Sequence, residues 1–220
     1  MRKCYDEQLK QLNDELIQMG DLCIGAITFA ISNMKTKKDE IKEKVVDIEN
    51  EINLKEREIE HLCMKLLLEQ QPVASDLRLV SSALKMISDM ERIGDQAFDI
   101  AQMSPIEMDE GSILEKHIFN MAKSTIAMVS NSVDSFVQRD LKMAFSVMQD
   151  DDDVDLYFDK VKKDLLLVIS QDTEKNGRIL DLLMIAKYLE RIGDHATNIA
   201  EWVVYSLTGE HQKLNQKKAN

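Results

Sequence analysis

The sequence predicts an all-α protein of six long helices, arranged as two tandem-repeated three-helix bundles that stand side by side or merge into one six-helix body. Three observations carry the prediction. Only seven glycines and two prolines occur in 220 residues, far below the ~12% that these two types average. They supply the positive φ and the chain breaks of turns, so their scarcity leaves a handful of turns with long helices between. Apolar residues step by three and four along most of the chain, the period of an amphipathic helix. Lastly, an eleven-residue segment recurs 99 positions on, so the plan is executed twice. Sandwiches, barrels and doubly wound sheets do not fit this pattern.

The first helix is marked by Leu9, Leu12, Leu16, Met19, Cys23, Ala26 and Ala30. After a polar break at Lys37 to Asp39, Ile41, Val45, Ile48, Ile52, Ile59, Leu62 and Leu66 mark the second. Pro72 ends it, because proline removes a helical N–H and disfavours helix in the residue before it. Ser75 then offers an N-cap to a third helix running to about Met103. Residues 104–112, with Pro105, lack helical periodicity and read as a linker between a first bundle, 1–103, and a second, 113–208. In the second half, helices are expected over Ile113 to Val137, Leu141 to Ser170 and about Thr173 to Leu207. Asp140 is placed to cap the middle one, and 209–220 reads as a polar tail. The repeat is explicit: Glu91-Arg-Ile-Gly-Asp95-Gln-Ala-Phe-Asp-Ile-Ala101 returns as Glu190-Arg-Ile-Gly-Asp194-His-Ala-Thr-Asn-Ile-Ala200, identical at 8 of 11 positions.

Composition narrows the function classes. With 40 acidic and 28 basic residues the net charge is −12, which repels phosphate backbones. No nucleic-acid partner is expected, since the one basic cluster is Lys213, Lys217 and Lys218. Cys4, Cys23 and Cys63 are odd in number and lack CxxC spacing, so they read as reduced thiols rather than a disulfide framework or a thiolate zinc site. The sequence shows no apolar run near the ~18 residues of a membrane span and no apolar signal core in Met1 to Lys10, which points to a soluble cytoplasmic protein.

Chemistry gathers on the helix seams. In the third helix Val80, Leu84 and Ile87 lead along one face to Glu91, Asp95 and Asp99, and residues at i and i+4 stand one above the other. In the last helix Ile179, Leu183 and Ala186 lead to Glu190, Asp194 and Asn198. Each middle helix carries a matching set: Glu49, Asn53, Glu56 and Glu60 in the first half, Asp151, Asp155 and Asp159 in the second. The first set lies roughly 80° from the apolar stripe and flanks the core. Carboxylates brought that close raise one another's pKa unless a cation neutralises them. Oxygen donors suit Mg, Ca, Mn or iron, and the shortage of His or Cys nearby argues against a dedicated zinc site, with His195 an accessory ligand or a partly solvated side chain. The competing reading is a solvated acidic face paired to Arg92, Arg191, Lys55 or Lys160. Glu58 and His61 form a single ExxH, where carboxylate-bridged di-iron bundles use two. The 13 methionines read as core filler. Trp202 to Tyr205 close the last helix, where packing on the neighbouring bundle is expected. Neither a Gly-rich phosphate loop nor a nucleophile elbow appears.

The doubled Glu-Arg-Ile-Gly-Asp ladder, with Gln71-Pro72-Val-Ala-Ser-Asp76-Leu-Arg78-Leu-Val80 upstream of its first copy, closely resembles the PhoU family of bacterial phosphate-transport-system regulators over nearly the whole chain. The resemblance implies multinuclear metal clusters of iron or zinc, or magnesium or manganese, on the repeated acidic motifs. The matching positions are Glu49, Asn53, Glu91, Asp95 and Asp99, and Asp151, Asp155, Glu190, Asp194 and Asn198. Asn53 and Asn198 stand where a strictly acidic pattern would have carboxylates, and amide oxygens coordinate without adding charge. Further implied are a cytoplasmic negative regulator of the phosphate-starvation response and of phosphate uptake, and contacts with the ATP-binding subunit of the phosphate ABC transporter and with the sensor histidine kinase. Homodimers, contact with the membrane only through partners, and no catalytic step complete that picture. Two rivals come from other classes: a ferritin-type metalloenzyme, and a structural helical adaptor whose acid ladders are merely solvated.

Overall fold

Leu12, Leu16, Met19, Cys23, Ala26 and Ala30 are fully buried, so the three-and-four spacing marks one face of one continuous helix. The computed structural model describes residues 2–36, 39–70, 73–103, 111–171 and 176–211. They form α1 (Arg2–Thr36), α2 (Asp39–Gln70), α3 (Ala74–Gln102), α4 (Ile113–Gln138), α5 (Leu141–Gln171) and α6 (Asn176–Thr208). Helices α1, α2 and α3 pack against one another, as do α4, α5 and α6. The two bundles meet through α3 against α6 and α1 against α4, whereas α2 and α5 touch only their own bundle. One core runs through both bundles, with Met86, Met90, Met121 and Met128 among its buried members. Burying apolar side chains releases about 25 cal/mol per Å2, so the shared core, more than helix propensity, fixes the arrangement.

Local signals set the helix ends. Asp140 caps α5 as expected, its Oδ1 accepting from the backbone N–H of Lys142 at 2.8 Å and Met143 at 3.1 Å. Ser75 does not cap α3. The helix has already begun at Ala74, and its N-cap is the extended Val73, which makes no side-chain capping bond. A cap must precede the first helical residue for its oxygen to reach the N2 or N3 amide, and Ser75 lies inside. Helix α4 has a device that the linker reading passed over. Ser112 Oγ accepts from Glu115 N–H at 3.1 Å, while Glu115 Oε2 accepts from Gly111 N–H at 2.6 Å, a reciprocal cap. Ser112→Ala is expected to cost about 1 kcal/mol and lower Tm by about 2–4 °C, which scanning calorimetry would measure. Residues 1, 37–38, 71–72, 104–110, 172–175 and 212–220 lie outside the described residues, and with them Pro72, Pro105, most of the expected linker, the expected helix start at Thr173 and most of the polar tail.

One expectation needs correcting. Within Tyr5–Met34 helix α1 holds an 18-residue window of mean hydropathy 1.3, long and apolar enough to cross a membrane by length and composition. Gln18 and Asp21 interrupt it, so no continuous apolar run marks it in the sequence. Of that window 44% is buried: Leu16, Met19 and Ile27 are wholly enclosed in the core, while Ile17 is exposed. At the other end of the chain Trp202 meets Tyr205 and His211 edge-on, with centroids 5.9 and 5.1 Å away.

Candidate metal centres

A glycine brings each middle helix down onto the seam beside it. At Gly94 of α3, a Cβ would stand 2.9 Å from Ile52 Cδ1 of α2 and 3.3 Å from its Cγ2. At Gly193 of α6, a Cβ would lie 3.3 Å from Asp151 Oδ1 and 3.4 Å from Val154 Cγ1 of α5. Ile52 and Val154 follow Glu49 and Asp151 by three residues, so the same close approach occurs in both bundles. It sets the acids of α2 beside Glu91 and Asp95, and those of α5 beside Glu190 and Asp194. The glycine in each Glu-Arg-Ile-Gly-Asp motif is therefore a packing requirement, because any side chain there meets the facing helix.

Electrostatics report the crowding. The Glu91 carboxyl is pushed above the usual range by burial first, then by Asp95, with Glu56 and Glu49 across the cleft adding to it and Arg92 opposing. Glu56 is raised too, by burial and by Glu60. In the second cleft Asp151 is pushed up to about 7 by burial, then by Asp194, Asp155 and Glu190. Asp155 and Asp194 reach solvent, yet both are raised, first by desolvation and next by Glu190. Each cleft therefore holds carboxylates whose charges oppose one another, as expected of oxygen donors short of a cation.

Protein cations answer this only at the margins. Arg92 lies 3.6 Å from Glu91 and 3.6 Å from Asp95 but is itself 62% exposed, where an ion pair contributes little. Lys187 Nζ pairs with Glu190 Oε2. Lys55 turns away to Glu15 at 2.7 Å and Glu58 at 2.9 Å. Glu58 and His61 lie on that opposite face, lining a groove between α1 and α2, so the lone ExxH does not join the acid ladder. Asn53 Nδ2 donates to Glu49 Oε1 at 2.6 Å. Among the described residues no three His, Cys, Asp or Glu side chains already converge in ligating geometry. The donor set is oxygen-rich and under-neutralised, which fits a hard cation.

Two predicted positions face elsewhere. Asn198 Nδ2 donates to Asp89 Oδ1 at 3.2 Å, and the same oxygen lies 2.9 Å from His195 Nδ1, both across the α3–α6 contact. Asp99 bonds Tyr188 of α6 across the same contact and helps to raise its phenol pKa. Since Asp89 and Tyr188 are 99 residues apart, as are Asp99 and Asn198, the repeat builds this cross-bundle pairing twice. Sequence reasoning missed Asp89 altogether. The available signal was Tyr188, its counterpart two residues before the second motif.

A family model described as the PhoU domain matches residues 16–104 and 118–203. A phosphate-specific transport system accessory protein PhoU homolog of Clostridium acetobutylicum is 33% identical over 216 residues, covering 97% of this chain and 99% of that protein. The crystal structure of PhoU from Pseudomonas aeruginosa superposes with TM-score 0.82 at 32% identity, covering 94% of this chain and 100% of that one. That of the phosphate transport system regulatory protein PhoU from Streptococcus pneumoniae gives TM-score 0.84 at 29% identity over 96% and 100%. Six helices in two tandem bundles, a doubled acidic motif and near full-length similarity agree, and the chain belongs to the PhoU family.

Proposed function

We propose that this chain is a cytoplasmic negative regulator of the phosphate-starvation response and of phosphate uptake, acting by protein contact without a catalytic step. The observation that carries the reading is similarity to a phosphate-specific transport system accessory protein over 97% of the chain. Its partners in this reading are the ATP-binding subunit of the phosphate ABC transporter and the sensor histidine kinase, with the membrane reached only through them, and the working form is a homodimer. In a deletion strain grown with abundant phosphate, an alkaline phosphatase reporter is expected to be high, and this gene should return it to low. A low reporter without the gene would overturn the reading.

The same reading assigns the two clefts to metal ions, iron, zinc, magnesium or manganese. Glu49, Asn53, Glu91 and Asp95 would hold the first group, and Asp151, Asp155, Glu190 and Asp194 the second. Bound metal supplies positive charge that neutralises the crowded carboxylates and ties the middle helix to the seam helix. Glu91→Ala with Asp95→Ala is expected to remove the metal of the first cleft and leave the second loaded, about halving the metal per chain measured by mass spectrometry of the digested protein. Unchanged stoichiometry would sink the assignment.

A further inference from the structure

Where the start of α3 meets the ends of α4 and α6 lies a recess of about 160 Å3. That is well above the ~10–15 Å3 that one water requires. Ser75, Asp76, Arg78, Arg139 and Ser206 line it. In a chain of net charge −12, two arginines converge here, and neither makes an ion pair among the described residues. Arg78 Nε is buried with no hydrogen-bond partner. Tyr5 is 9% exposed, its hydroxyl likewise lacks a partner, and its phenol is pushed up to about 12 by burial first and then by Asp76, with Arg139 opposing and Asp6 adding to it. Helix α3 opens at this place with no side-chain cap, so its first amides add donors and the positive end of the helix dipole. Orphaned buried donors are rare in folded proteins and call for a partner. Here the two guanidinium groups, that of Arg139 open to solvent, and the first amides of α3 form a donor-rich concavity whose lining sets two positive charges against the one of Asp76.

We propose that this recess binds a small tetrahedral oxyanion that keeps a proton at neutral pH, with inorganic phosphate the probe of matching chemistry. The arginines supply charge-assisted bonds to its oxygens. Asp76, an acceptor only, repels a fully deprotonated anion and accepts the hydrogen of hydrogenphosphate. It therefore disfavours sulfate, and also phosphate monoesters, which lose their last proton with a pKa of about 6. The repeat does not duplicate the recess, since Gly177 stands 99 positions after Arg78, so one anion per chain follows.

Titration calorimetry of the full chain in chelator-containing buffer tests this, because anions held through metal at the clefts are then absent and the metal assignment stands or falls separately. Inorganic phosphate should bind at one site and raise Tm by mass action, while sulfate and phenyl phosphate bind at least about tenfold more weakly. Arg139→Gly should weaken phosphate at least about tenfold without harming the fold, since Arg139 sits at φ 54°, where glycine is the preferred residue. Asp76→Asn should erase the preference over sulfate. No phosphate binding, or unchanged binding in Arg139→Gly, would overturn the proposal. Equal binding of sulfate to the unaltered chain would overturn the requirement for a proton.

Discussion

Gly94→Val is expected to lower stability by about 3 kcal/mol, read as the urea midpoint of the unfolding transition. Even the first carbon of the new side chain meets Ile52 at 2.9 Å, and Ile52 is wholly buried. Overpacking of a filled core costs about 1–3 kcal/mol, and the two methyls of valine take this site to the upper end. The helix-propensity gain over glycine, at most ~1 kcal/mol, offsets only part. Ile52→Ala alone should cost about 2–5 kcal/mol, through lost burial and the cavity left behind. Combined, the two should cost less than their sum by about 1–2 kcal/mol, because the valine occupies the space that the isoleucine vacates. Additivity within ~0.5 kcal/mol would show that the helices approach elsewhere. The same variant should loosen the first cleft, since Gly94 sits between Glu91 and Asp95.

In the metal-free chain Asp151→Asn is expected to be stabilising near pH 8. The folded-state pKa of Asp151 is raised from 3.8 to about 7, so folding favours its neutral form. The contribution is intact below pH 3.8 and is lost as pH rises towards 7, where a charge must be kept beside Asp194 and Glu190. Unscreened, that shift corresponds to about 4 kcal/mol. Water reaches part of the carboxylate, which reduces the expected gain to about 2 kcal/mol. Urea unfolding across this pH range should show the unaltered chain losing stability relative to Asp151→Asn. Added divalent cation should reverse the order, because the ion displaces the proton and needs the carboxylate. Parallel pH profiles for the two chains would show that Asp151 is solvated and unconstrained.

The helices were legible because a scarcity of glycine and proline and a three-and-four period are local signals, and the 99-residue repeat is visible by alignment of the chain with itself. Asp140 was legible for the same reason, as its cap is complete within three residues. The capping box at Ser112 and Glu115 lay at the edge of a stretch without periodicity and was absorbed into the linker. The acid ladders of α3 and α6 could be read as stripes. Whether they face α2 and α5 depends on Gly94 and Gly193, whose close approaches are tertiary facts. Asp99 and Asn198 followed the ladder by spacing, but a helix turns 100° per residue, and the third rung has drifted towards the other bundle. Asp76, Arg78, Arg139 and Ser206 come from the ends of three different helices, so no window could have joined them.

Helices α2 and α5 each lean on one bundle alone, while α3 and α6 are clasped between two. Local opening takes the least-anchored units first. Amide hydrogen exchange should therefore be fastest, among the cores of the six helices, in α2 and α5, detaching as separate units while the four-helix centre stays shut. A cation bridging α2 to α3 would act on that fraying rather than on global unfolding, and its occupancy would be recorded as slowed exchange in α2 with α3 unchanged. The outer helices would then be the part of the molecule that registers ion supply, and the centre the part that holds its shape.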